Sequence, residues 1–258
     1  MFYSINIEVM KLLSLLFFSL MITNVSLAQS ILIDPGHGGE DCGAKGKIWR
    51  GKTLRIICEK DIALSIAKII HKRLSKKFHT YLTRSLDRTI SLEQRAALAD
   101  KIKADIFISI HINASTSKRS HGFETFYLDN HDNAAVKKVE EVENKNIKGE
   151  QVIINKILAD LVIDRTAPSS RKMSSLVHKS ISRKIKKKYK MVDRGVKPAI
   201  FYVMALSKRP SILLEVGFIS NTKELRKMST KKFQRDYANA VARGIEKYFK
   251  KTKRPPLL

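Results

Sequence analysis

Three apolar runs constrain this chain most: "SILID" at residues 30–34, "DIFISIHIN" at 105–113 and "SILLEVGFI" at 211–219. Each is nearly free of charge and short, and isoleucine dominates, as expected of strands buried on both faces of a sheet. Helical patterns lie between them. Ile62, Ile66, Ile69, Ile70 and Leu74 recur at helical spacing. "SLEQRAALADKIK" opens with Ser91 and carries Gln94 three residues later, a capping-box signature. Asn221 begins a short helix, and "FQRDYANAVARGIEKYF" predicts a long last one. "FHTYLTRS", "GFETFYL" and "PAIFYVMAL" read as further strands, and residues 132–190 as largely helical and very polar. The alternation predicts an α/β fold with a mostly parallel or mixed central sheet and helices on both faces. No internal repeat or long linker divides the chain, so residues 29–258 are expected to form a single domain, ending in a flexible tail over 251–258.

The first 28 residues stand apart. Lys11 precedes "LLSLLFFSLMITNV", and Ser26 and Ala28 supply small residues where a signal peptidase needs them. The run falls short of the roughly 20 residues that span a bilayer. A secretory signal cleaved after Ala28 is therefore expected, with Met10 as an alternative start, and no membrane anchor after cleavage. Without wall-binding repeats, a periplasmic destination is favoured over the cell exterior. Export permits Cys42 and Cys58 to pair, and two free thiols fit the sequence equally well. Neither has metal-ligand spacing.

A formal charge of +26 favours polyanions: nucleic acid, anionic lipid or an acidic wall polymer. Residues 171–190 hold nine Lys/Arg and no acid, either a solvated helix face or a docking surface. Base-stacking aromatics are not interleaved there, so nucleic acid is not expected.

In "ILIDPGHGGEDCGAKG", His37 follows a strand and sits in a glycine-rich turn formed by Gly36, Gly38 and Gly39. His111 ends a buried strand, Glu215 lies near the end of another, and Glu59 begins a helix. C-terminal strand ends gather at one rim of an α/β sheet, and sites form there. Two imidazoles and a carboxylate are a common ligand set for catalytic zinc, and a carboxylate outside that set can act as general base. "ILLEVGF" buries Glu215 among apolar neighbours, which is costly unless the carboxylate is paired or used. Asp34 either orients a ligand histidine or caps the turn. Asn113 either positions loop or substrate or simply forms a turn. His71, His79, His121, His131 and His178 lie in polar contexts and read as ordinary surface residues.

"DPGHGGEDCGAKG", "EKDIALSIA", "SIHINAS" and "SILLEVGFISN", in this order, resemble the zinc-dependent N-acetylmuramoyl-L-alanine amidases of bacterial cell walls, over nearly all of residues 30–250. The resemblance implies zinc bound by His37, Glu59 and His111, with Glu215 as the catalytic residue. It implies peptidoglycan as substrate, cut between N-acetylmuramic acid and L-alanine for wall remodelling or cell separation. One stretch departs: "KIWRGKTLRIIC" is longer than usual, leaving the approach to Glu59 undefined. Some similar amidases insert, near residues 132–165, a helix that blocks the zinc until a protein activator removes it. Glu140, Glu141 and Glu143 are the candidates if this chain does so; a solvated helix is the alternative. A silent wall-binding protein on the same fold, a zinc peptidase cutting within the stem peptide and a charge-driven anion binder are the competing readings.

Overall fold

The computed structural model describes residues 29–145 and 147–252. The expected signal segment lies outside them. So does most of the expected tail, since Lys251 still belongs to the last helix. Six strands form the main sheet: β1 (Ser30–Pro35), β4 (His79–Leu82), β5 (Ile106–Asn113), β6 (Phe123–Leu128), β7 (Asp193–Ala199) and β8 (Ser211–Phe218). Their order is β4-β1-β5-β8-β6-β7. The first four are mutually parallel, β6 runs antiparallel to β8, and β7 runs parallel to β6. The mixed sheet agrees with the sequence expectation. A separate antiparallel hairpin, β2 (Lys45–Arg50) and β3 (Thr53–Cys58), occupies the stretch left undefined by the sequence.

Seven helices complete the described fold: α1 (Glu59–Leu74), α2 (Leu92–Lys101), α3 (Ala134–Glu143), α4 (Glu150–Tyr189), α5 (Tyr202–Ser207), α6 (Thr222–Met228) and α7 (Lys231–Lys251). Side chains alternate across each strand, so every buried run feeds two cores. Ile31, Ile33, Ile108 and Leu214 meet α1, α7 and the C-terminal half of α4 in one. Leu32, Phe107 and Leu213 meet α2, α5 and the N-terminal half of α4 in the other. The predicted capping box of α2 is present, with Ser91 and Gln94 bonding reciprocally.

The stretch "PAIFYVMAL" is not one strand. β7 stops at Ala199, and α5 begins at Tyr202. The backbone N–H groups that would continue the ladder are taken elsewhere: Ile200 donates to Glu140 and Tyr202 donates to Asn144 Oδ1 at 3.0 Å. Two histidines expected at the surface are also covered. His178 is buried between Thr125 and Asp193, with Nε2 2.6 Å from Asp193 Oδ1. His131 Nε2 lies 2.7 Å from Glu140 Oε1.

On the second face the strand ends turn polar: after Leu32 comes Asp34, after Phe107 come Ser109 and His111, and after Leu213 comes Glu215. Asp34 does not touch a histidine. It accepts from Thr83 Oγ1 (2.6 Å), Ser109 Oγ (2.8 Å) and the Arg95 guanidinium, fixing α2 to the end of β1. Burial works against the Asp34 carboxylate, but the Arg95 charge and the hydrogen bonds overcome it and hold the group below its ordinary 3.8. Its stabilising contribution is thus complete above that value and fades as pH falls through the lower folded value. Asp34→Asn leaves Arg95 buried without its counter-charge and is expected to lower unfolding free energy by about 3–5 kcal/mol at neutral pH. Denaturant titration checks this; a loss within 1 kcal/mol, roughly the scale of a surface pair, contradicts the assignment.

Candidate metal centre

His37, Glu59 and His111 come together although 22 and 52 positions separate them in the chain. The convergence follows from local structure. β1 ends at Pro35, and two buried arginines grip the carbonyls that follow. Arg84 donates to Pro35 O (3.0 Å) and Gly36 O (2.8 Å), and Arg95 to His37 O (2.9 Å). Held this way, His37 adopts φ 58°, a left-handed conformation uncommon outside glycine. Gly36 is required by the opposite histidine: a Cβ there would sit 2.5 Å from the His111 ring. The two rings meet edge to face with centroids 5.0 Å apart.

Glu59 is the first residue of α1, and the disulfide between Cys42 and Cys58 closes the chain just before it. Its carboxylate is 2% exposed and fully engaged. Oε1 accepts from Ile112 N at 2.7 Å and lies 3.1 Å from His111 Nδ1. Oε2 accepts from Ala44 N at 2.9 Å and lies 3.2 Å from His37 Nε2. Burial opposes this charge, but the two imidazoles outweigh it and keep Glu59 well below the usual carboxylate range. The reverse holds for the rings. Burial disfavours protonated His37, yet Asp41 and Glu59 push it up to about 9. His111 is likewise raised, against burial, by Glu143 and Glu59. Asp41, Glu59 and Glu143 thus favour positive charge in this buried space, a charge that a divalent cation can supply in place of protons.

A fourth side chain enters from α3. Glu143 Oε2 lies 3.0 Å from His111 Nδ1 and 3.8 Å from His37 Nε2. One ligand atom from each of His37, Glu59, His111 and Glu143 fits within 4.8 Å of the others. His37 Nε2 is buried, and its contact with Glu59 Oε2 is an ion-pair approach without hydrogen-bond geometry. Of the three acids singled out on this helix, Glu140 bonds His131 and Ile200 N, and Glu141 faces solvent. Spacing of three residues puts Glu140 and Glu143 on one helix side. A cavity of about 370 Å³ adjoins the cluster, walled by Val142, Glu143 and Asn144 on one side and by residues 89–93 on the other.

Glu215 stands outside the four-atom cluster but beside it. It is the sheet partner of His111 on β8, and the ladder slips just beyond, where Asn113 pairs with Phe218. Such a bulge re-aims side chains at a strand end. Neither Glu215 carboxylate oxygen has a hydrogen-bond partner. Burial pushes its pKa well up; His111 opposes this, and the charges of Glu143, Glu59 and Glu124 add to it. Asn113 donates to Glu124 Oε1 at 2.9 Å, so it serves the strand β6 beside the site. The residue that orients His37 is Asp41, whose Oδ2 lies 2.7 Å from Nδ1. Nothing in its spacing from a glycine-flanked histidine distinguished it from an ordinary turn acid.

Residues 31–247 match the family model for N-acetylmuramoyl-L-alanine amidase. The chain is 35% identical over 229 residues to the N-acetylmuramoyl-L-alanine amidase AmiC of Escherichia coli; the match covers 85% of this chain but 52% of AmiC, so the chain spans about half of that relative's length. Among solved structures, the N-acetylmuramoyl-L-alanine amidase of Clostridium difficile 630 superposes with a TM-score of 0.66 and 28% identity, covering 88% of this chain and all of that one. The CwlD amidase of Clostridioides difficile, solved in complex with the GerS lipoprotein, superposes with a TM-score of 0.63 and 25% identity over 86% of this chain and 98% of its own.

Asp41 fixes which His37 nitrogen faces the cluster, and losing such a partner typically weakens metal binding about 10–100-fold. Asp41→Asn is expected to weaken divalent-ion binding by that factor in a chelator-competition titration. Unaltered affinity removes Asp41 from the site.

Proposed function

The chain belongs to the N-acetylmuramoyl-L-alanine amidase family, and from that premise we propose that it cuts peptidoglycan at the amide between N-acetylmuramic acid and L-alanine, using zinc held by His37, Glu59 and His111. The observation that carries this reading is the meeting of those three side chains about one point, with the unpartnered Glu215 carboxylate beside them. The donor set suits zinc. The separations of 3.2 Å (His37 to Glu59) and 3.0 and 3.8 Å (Glu143 to the two imidazoles) lie around the roughly 3.3 Å spacing of ligands on a tetrahedral ion with 2.0–2.1 Å bonds.

Zinc, when bound, supplies Lewis acidity toward the amide carbonyl and toward water. The remaining chemistry belongs to the chain. Asp41 holds the proton of His37 on Nδ1, leaving Nε2 as donor to the ion. The amides of Ala44 and Ile112 fix both Glu59 oxygens, so the carboxylate cannot swing away. Glu215, whose pKa burial pushes well up, is suited to both halves of a proton shuttle. Its carboxylate takes a proton from the attacking water and then gives it to the nitrogen of the departing L-alanine. The products are a free lactyl carboxylate and a peptide with L-alanine at its N-terminus.

Glu143 occupies the remaining position of the donor group, so α3 acts as a plug. Asn144 donates to Ile200 O (2.9 Å) and accepts from Tyr202 N, while Glu140 accepts from Ile200 N, so two side chains clasp the helix end to the segment before α5. A protein activator removes the plug in this reading, as the CwlD–GerS pairing makes chemically reasonable. The start of α4, directly after the plug, offers exposed Ile153, Ile154, Ile157 and Leu161 for such a partner. Export to the periplasm completes the proposal; no helix among the described residues is long and apolar enough to cross a membrane.

Glu215→Gln is expected to keep zinc and to lose on the order of 10²–10⁴ in hydrolysis of purified sacculi. Zinc analysis together with mass analysis of released peptides checks this, and near-normal turnover refutes the role. A peptide cut within the stem, rather than at L-alanine, refutes the bond assignment. Glu143→Ala is expected to raise kcat/KM of the isolated protein by about tenfold or more, the gain from opening a site closed at least nine-tenths of the time. Unchanged or lower activity in a normally folded variant refutes the plug.

A further inference from the structure

The hairpin β2–β3 is left without a task by the amidase reading, and its composition is one-sided. From Lys45 to Cys58 the chain reads "KGKIWRGKTLRIIC", with five cations, no acid and no side-chain amide. Strand register sorts its side chains. Gly46, Ile48 and Ile57 share the inner face, where Gly46 lies against Leu225 and Ile219 and both isoleucines pack on the core. The pairs Lys45–Cys58, Lys47–Ile56 and Trp49–Leu54 share the outer face. Trp49 is 59% exposed, Leu54 41% and Ile56 60%. An ordinary hairpin with one face buried turns polar residues outward. This one presents a contiguous apolar trio instead, with the exposed Lys45 and Lys47 on the same face and Lys52 exposed in the turn. The disulfide from Cys42 to Cys58 clamps its base. Exposed apolar groups rimmed by charge mark a docking surface.

The chemistry of the face selects its occupant. Carboxylates and amides are the usual groups that fix the orientation of a sugar chain, and the hairpin has neither. A two-stranded ribbon offers no concave wall in which a partner's side chains could be anchored. A lipid surface needs none of these. Tryptophan sits at headgroup level, aliphatic groups enter the acyl boundary, and lysine and arginine meet phosphates. The charge of +26 draws the whole molecule to an anionic layer.

We propose that the β2–β3 hairpin is a peripheral docking element for an anionic lipid bilayer, entered by Trp49, Leu54 and Ile56 and held by Lys45, Lys47 and Lys52. This goes beyond the amidase reading and does not depend on it. Because the hairpin base adjoins Glu59, docking fixes the metal cluster within about 20 Å of the membrane, the length of a six-residue strand.

Trp49 is the only tryptophan in the chain, so its fluorescence reports on the hairpin alone. The disulfide-bonded protein from Gln29 onward, without the expected signal segment, is titrated with vesicles of phosphatidylglycerol and phosphatidylcholine in equal parts, and with vesicles of phosphatidylcholine alone. Trp49 emission is expected to move to shorter wavelength with the anionic vesicles, and affinity to fall at least about tenfold with neutral vesicles or in high salt. Leu54→Glu combined with Ile56→Glu keeps the reporter and is expected to weaken binding at least about tenfold. Thermal melting checks that this variant folds; if it does not, Lys45→Glu with Lys47→Glu is expected to give the same loss. The proposal is overturned if anionic vesicles leave the emission unchanged and fail to co-sediment the protein. It is equally overturned if purified sacculi, and not vesicles, shift Trp49.

Discussion

One buried carboxylate organises this molecule. Glu59 binds two backbone amides and two imidazoles at once: Ala44 at the foot of the hairpin, Ile112 and His111 on β5, and His37 in the turn after β1. The carboxylate ties these segments together at the rim of the sheet. A carboxylate so deep is costly to keep ionised, and here hydrogen bonds and imidazoles offset that cost. The requirement runs both ways: the acid needs the two rings, and the rings, packed edge to face, need the acid between them.

A second shell of buried charge keeps those partners in register. Asp34, Arg84 and Arg95 lie just under the loop from Pro35 to His37, and the two guanidinium groups bind three successive carbonyls of that loop. Ion pairs of this depth seldom add stability over an apolar replacement. They do fix geometry, and here the geometry is a histidine at positive φ aimed at a point defined by other strands. On the proposed reading, catalytic precision is obtained from a part of the fold that an apolar core would have made more stable and less specific.

The central sheet was legible because it rests on a local pattern, the apolar runs of β1, β5 and β8; His37, His111 and Glu215 stood out at or just beyond the ends of those runs and Glu59 at a helix start, while their roles came from the family resemblance. What escaped was decided by tertiary contacts. "PAIFYVMAL" has strand composition, yet Glu140 and Asn144 take the backbone groups that would extend β7, and α5 forms instead. His178 sits in a lysine-rich stretch but buries against Thr125 and Asp193, which are remote in sequence. Asp41, Arg84 and Arg95 look like any turn acid or surface base until the fold surrounds them. The disulfide between Cys42 and Cys58 remained open because spacing permits a bond without requiring one.

If α3 is the plug proposed above, its attachment suits it to removal. α3 has ten residues, a length at which an isolated helix is marginal in water, and Val136 is its buried apolar anchor. Its attachment is therefore mostly polar: Asn133 caps its start, Glu140 and Asn144 clasp its end to residues 200–202, and Glu143 reaches the imidazoles. Polar contacts of this kind are exchanged for water with little net loss when the whole element leaves together. A helix held by packing would need a large apolar surface to be exposed before the site opened. On the proposed reading, α3 held in this way blocks the site through one carboxylate and can still be lifted by modest binding energy applied to the start of α4, which follows it in the chain.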